Sequence, residues 1–112
     1  MSIRFDPPIH PGEILREQFL KPLGLSAGAL AKALGVPRTR IERIVKEDMG
    51  VSTDTALRLA KYFDTTPNVW LNLQTDYDLS IDAKALKREL AAIRAHDAAN
   101  DNAARAAARR RS

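Results

Sequence analysis

Four side chains within six residues carry the most specific chemistry in this sequence: Arg38, Thr39, Arg40 and Arg43. An arginine guanidinium is a planar fork of N–H donors that fits guanine O6 and N7 two at a time. A threonine offers a methyl for the thymine methyl and a hydroxyl for a polar base edge. Between Lys32 and Lys46 there are five basic residues (Lys32, Arg38, Arg40, Arg43, Lys46) against one acid, Glu42. The same residues would also make an ordinary solvated helix face, with Arg38–Glu42 and Glu42–Lys46 as weak i, i+4 pairs. The residues around them decide between these readings.

Those neighbours build a corner. Ser26 is placed to cap a helix over AGALAKAL, in which Leu30 and Leu34 are spaced i, i+4. Gly35 follows directly, where a left-handed stop is needed. Pro37 opens the next helix, through about Val45, with Ile41 and Ile44 at i, i+3 to pin it against the first. Ala31 is small where two such helices cross. Small residue, glycine turn, apolar pins and basic leading residues together make a helix-turn-helix, whose second helix enters the major groove with its N-terminal side chains first. Glu42 reads as a salt-bridge partner rather than a reader of cytosine.

The flanking stretches supply the support. Pro11 and Glu13 suit the first turn of a helix over about Gly12–Leu20, with Ile14, Leu15 and Phe19 as its apolar face and Pro22 with Gly24 to stop it. Ser52 caps TDTALRLAKYF, whose Ala56, Leu59, Ala60 and Phe63 fall at i, i+3, i+4 and i+7. Thr66 and Pro67 start a fifth helix carrying Trp70, Leu73 and Tyr77. Leu86, Leu90 and Ile93 repeat the stripe and predict a sixth over residues 83–94. Short connections and the lack of strand alternation predict an all-α fold: five helices over residues 10–80, an extended N-terminal arm at 1–9, a C-terminal helix at 81–96 and a disordered Ala/Arg-rich tail at 97–112.

Charge and composition exclude other classes. The net +4 lies in Arg105, Arg109, Arg110 and Arg111, because residues 1–104 balance at 14 against 14. Bulk charge therefore says little about partners; the tail reads as a solubilising end, or as an arm making non-specific phosphate contacts. With no cysteine there is no disulfide, thiolate metal site or Cys nucleophile. His10 and Glu13 are three apart, but Glu13 is better explained by the helix dipole, so neither metal nor cofactor is expected. Asp76, Asp78 and Asp82 read as a hydrated helix end rather than catalytic carboxylates. No apolar run approaches a membrane span or a signal peptide, which predicts a cytoplasmic protein that is not an enzyme.

Residues 10–80 resemble the HigA-type antitoxins, a branch of the Xre/Cro-like helix-turn-helix proteins with a lambda-repressor-like fold. The resemblance rests on HPGEIL, then LAKALGVPRTRIERIV, then TALRLAKYFDTTPNVWLNLQTDYDL. It implies a homodimer that binds an inverted-repeat operator in double-stranded DNA, represses its own operon and neutralises a small ribonuclease toxin. By position it implies that Arg38, Thr39 and Arg43 read bases and that Arg40 reads bases or phosphate. Ala27 would offer a backbone N–H to a phosphate, and Lys46 would contact the DNA backbone. It also implies dimer contacts from the helix around Trp70–Tyr77. Trp70, Leu73 and Tyr77 on their stripe also suit a core, while Leu71 and Leu79 lie off it; the candidate contact set is Trp70, Leu71, Leu73, Tyr77 and Leu79. Two departures stand out: Pro37 occupies a position where relatives often carry a capping Ser or Thr, and Glu47 and Asp48 place acids in a loop that is often basic. A stand-alone repressor without a toxin and a protein-interaction module that has lost DNA binding are the alternatives.

Overall fold

Each helix begins and ends on a local signal that the side chains supply. The computed structural model describes residues 8–96. Helix α1, residues 11–23, starts at Pro11 with His10 as its cap: the Gly12 N–H donates to His10 Nδ1 at 2.9 Å. Pro22 does not stop this helix, contrary to the expectation above. Residues Leu15–Leu20 adopt a π register, in which the Lys21 N–H donates to the Arg16 carbonyl. That wider turn tolerates a proline that has no N–H and would crowd a normal α turn. The helix continues to Leu23 and ends at Gly24, whose φ is +60°.

Helix α2, Ala27–Leu34, is capped by Ser26, which accepts from the Ala29 N–H at 3.0 Å. It ends at Gly35 with φ +71°, and after Val36 and Pro37 helix α3, Arg38–Val45, begins. Pro37 sits at the cap position with no side-chain hydrogen bond to offer, as its chemistry requires. Helix α4, Thr53–Phe63, is capped by Ser52. Helix α5, Pro67–Ala85, is the longest and runs through the boundary expected near residue 80, because no proline, glycine or cap interrupts Ser80 to Ala85. Helix α6, Lys87–Ala92, follows after the single non-helical residue Leu86, and is shorter than the stretch 83–94. The expected extended arm falls mostly, and the disordered tail wholly, outside the described residues.

The core is a single cluster: Leu15 and Leu20 of α1, Leu30, Ala31 and Leu34 of α2, Ile41 and Ile44 of α3, Val51, Ala56, Leu59 and Ala60 around α4, and Trp70 of α5. Leu15, Leu30, Ile41, Ile44, Leu59 and Trp70 are fully buried. Each such side chain contributes about 1.5–3 kcal/mol relative to leaving it in water. Phe19, Phe63 and Trp70 interlock, with ring centroids 4.7 Å (Phe19–Phe63) and 5.1 Å (Phe19–Trp70) apart. The indole N–H of Trp70 donates to Thr65 Oγ1 at 3.1 Å. Among the described residues no helix is long and apolar enough to cross a membrane.

Candidate nucleic-acid interface

Burying Ile41 and Ile44 fixes the rotation of α3, and this turns the rest of the helix outward. Arg38, Thr39, Arg43 and Lys46 are exposed and Arg40 is half-buried. Arg38 and Thr39 lead because α3 starts with them, and Pro37 contributes no side chain that would cover the helix end. Ala27 is the first residue of α2, ahead of the amide that Ser26 caps. The corner is fixed at Gly35, whose N–H donates to the Lys32 carbonyl while that of Val36 donates to Ala31.

The arginines are held differently. Arg38 Nε donates to Glu42 Oε2 at 2.9 Å, and its side chain remains 73% exposed. It lies beside Gly28 of α2, where an added Cβ would sit 3.5 Å from Arg38 Cδ and Nε. Glu42 therefore lays Arg38 across the α2–α3 junction while leaving its other N–H groups open. Arg43 projects freely, with no ion pair among the described residues. Arg40 is engaged. Its Nη1 donates to Asp54 Oδ1 at 2.8 Å, and the same oxygen accepts from Arg58 Nε at 2.8 Å. Arg58 in turn donates to the Leu34 carbonyl at 2.7 Å. The two guanidiniums, Arg58 foremost, hold the Asp54 carboxyl below the usual aspartate range. This network ties the start of α4 to the end of α2 and to α3, and makes Arg40 a strut between them.

Behind α3 sits a second support. The end of α3 closes with the Asp48 N–H donating to the Arg43 carbonyl and the Glu47 N–H to that of Ile44; Glu47 takes φ +65°. Arg16 of α1 donates to the Val45 carbonyl and pairs with Glu47 at 3.3 Å. Glu47, one of the two acids in the loop that relatives often make basic, is thus turned to Arg16. The N-terminus of α1 comes so close that a Cβ on Gly12 would overlap the Ile44 carbonyl. From the other side Gln74 of α5 accepts from the Val51 N–H at 2.7 Å and donates to Asp78 at 3.0 Å. The loop from Lys46 to Ser52 is therefore gripped by both α1 and α5.

Sequence reasoning missed Gly12, Arg16, Gln74, Asp54 and Arg58. Gly12 stood inside the HPGEIL string, but that string carries no sign of which backbone it approaches. The pair Asp54–Arg58, at i, i+4, was the one readable signal. His10 is 4% exposed and sits edge-on to Tyr77, with ring centroids 4.7 Å apart. Burial lowers its pKa below the ordinary 6.5, against the opposing pull of Glu47 and Asp78.

The residues expected at a dimer interface separate. Trp70 is wholly inside this protomer and has no surface for a partner, because Phe19 and Phe63 enclose it. Leu71, Leu73 and Tyr77 are half-buried, the two leucines packed against the core, and Leu79 is 50% exposed.

Residues 15–70 match the family model HTH_3, helix-turn-helix. Virulence-associated protein I of Dichelobacter nodosus is 61% identical over 75 residues, 67% of this chain and 69% of that protein. Among solved structures, Pseudomonas aeruginosa antitoxin HigA with the higBA promoter matches with a TM-score of 0.76 at 44% identity, covering 78% of this chain and 96% of that one. Antitoxin GraA in complex with its operator matches with a TM-score of 0.78 at 46% identity, covering 88% of this chain and 99% of that one. The corner built by Ser26, Ala31, Gly35, Ile41 and Ile44 is thus a shared one, and the chain belongs to the helix-turn-helix family and, within it, to the HigA-type antitoxins.

Proposed function

We propose that this chain is a homodimeric, sequence-specific repressor of its own operon and the antitoxin to a small ribonuclease toxin. The observation that carries the DNA half is the outward row Arg38, Thr39 and Arg43 on a helix fixed from behind by Ile41 and Ile44. Arg38 and Arg43 read base edges, with Thr39 between them. Arg40 contacts phosphate, its approach set by Asp54. Ala27 and Lys46 bound the backbone-contacting surface at the start of α2 and the end of α3. Two relatives solved with a promoter and with an operator support the reading.

Dimerisation follows from the operator's symmetry. Two copies related by a two-fold axis present two reading helices to successive major grooves about 34–36 Å apart. Leu71, Leu73, Tyr77 and Leu79 of α5 form the contact, with Trp70 serving only to brace that helix. Toxin neutralisation rests on membership among the HigA-type antitoxins.

The test has two arms. The first titrates the full chain against DNA from the region upstream of its operon, with a scrambled sequence as control. A protected inverted repeat is the expected result, and equal affinity for both sequences overturns the repressor reading. The second expresses the small open reading frame adjacent to this gene with and without this protein. Growth arrest relieved by this chain, with co-elution of the two, is expected. No arrest and no complex leave a stand-alone repressor.

A further inference from the structure

The stripe that begins at Leu79 and runs through Leu86, Leu90 and Ile93 is left outside the core by the described residues. These residues are 50%, 45%, 50% and 69% exposed, and every residue of α6 is exposed. With half-buried Ala83 they form the series 79, 83, 86, 90, 93, spaced four, three, four, three. This is the a/d seam of a coiled coil over two heptads.

The charges beside that seam are arranged for a partner helix. Asp82 and Glu89 stand one residue before Ala83 and Leu90, at g positions. Lys87 and Arg94 stand one residue after Leu86 and Ile93, at e positions. Asp82, Lys87 and Glu89 have no opposite charge three or four residues away, the spacing that pairs within a helix, and Arg94 has one, Asp97. None of the four forms an ion pair among the described residues. In a parallel two-stranded coil a g residue meets the e residue five positions further along the other strand. That aligns Asp82 with Lys87 and Glu89 with Arg94, both complementary. In an antiparallel coil acid would face acid and base would face base, so the pattern excludes that arrangement.

We infer that residues 79–94 of two copies of this chain join as a short parallel coiled coil. The inference deepens the homodimer reading and rests on it: two heptads alone are too short to associate stably, but they add strength to protomers already held together. Pairing closes the one-residue break at Leu86 and extends α6, which ends at Ala92, by the turn that carries Arg94.

The test is sedimentation of the full chain over a dilution series, with melting temperature as a check on folding; the altered side chains are exposed. K87E/R94E sets like charges across the seam and weakens the dimer by on the order of ten-fold. The exchange D82K/K87E/E89K/R94E restores parental strength, and L90D weakens the dimer as the charge reversal does. Unchanged association of K87E/R94E or L90D overturns the coiled coil and leaves a dimer through α5 standing. Failure of the fourfold exchange to restore it overturns the parallel pairing. A parent that stays monomeric throughout overturns the homodimer reading as well.

Discussion

Arg38, Arg43 and Arg40 differ in what holds them, and that difference sets what each substitution does. Arg38→Ala and Arg43→Ala each remove an exposed guanidinium, the proposed bidentate donor, and leave the core untouched. Each is expected to lose about 1–3 kcal/mol of discrimination between operator and scrambled DNA, with no shift in melting temperature. Asp54→Asn acts in the opposite sense, because it releases Arg40 and Arg58 from a shared carboxylate. Binding to non-specific DNA should tighten and its salt slope should steepen by about 0.9 for each new phosphate contact. An unchanged slope would mean that Arg40 reaches phosphate while still paired. His10 contributes a pH dependence. Burial favours its neutral form and lowers its pKa below 6.5, so the unfolded chain binds more protons and stability falls as pH drops below about 6.5. His10→Asn keeps a capping acceptor without a titrating ring, and should flatten melting temperature against pH between about 6.5 and 5.

Elements were legible where a cap or a period of 3.6 marks them. Ser26, Gly35 and Ser52 each perform the role that their type and place announced. Pro22 was misleading, because a proline signals a stop only if the helix keeps an α register, and no sequence pattern announces the π turn from Leu15 to Leu20. The end of α5 was equally hidden, since Leu79 just before residue 80 and Ala83, Lys84 and Ala85 after it all favour helix. Close approaches between elements do not show in a string of residues at all. Gly12→Ala puts a methyl into the Ile44 carbonyl and should cost about 1–3 kcal/mol; thermal unfolding checks this. If α1 cannot shift away from the end of α3, operator affinity falls as well. Gly35→Val forces a β-branched residue to positive φ and should disrupt the corner, removing specific binding and native packing together.

At the scale of the molecule, one core holds one outward face. The buried isoleucines of α3 turn its arginines to solvent, α1 and Gln74 of α5 grip the loop that follows, and the Asp54 network fixes the approach from α4. The outward row of α3 was legible because its buried and exposed residues alternate within a single helix. The grip on it was not, because Arg16, Glu47, Gln74 and Val51 are brought together from distant parts of the chain. Trp70 marks the limit of composition as a guide, since a tryptophan on an apolar stripe suits an interface and a core equally until its neighbours are placed. The most direct measurement titrates the full chain and Arg38→Ala against the upstream inverted repeat and a scrambled duplex, at fixed salt. The expected result is strong preference by the parent and a drop of about ten-fold or more in that preference for Arg38→Ala, with non-specific affinity little changed. Equal preference in both proteins would contradict the assignment of α3 as the reading helix.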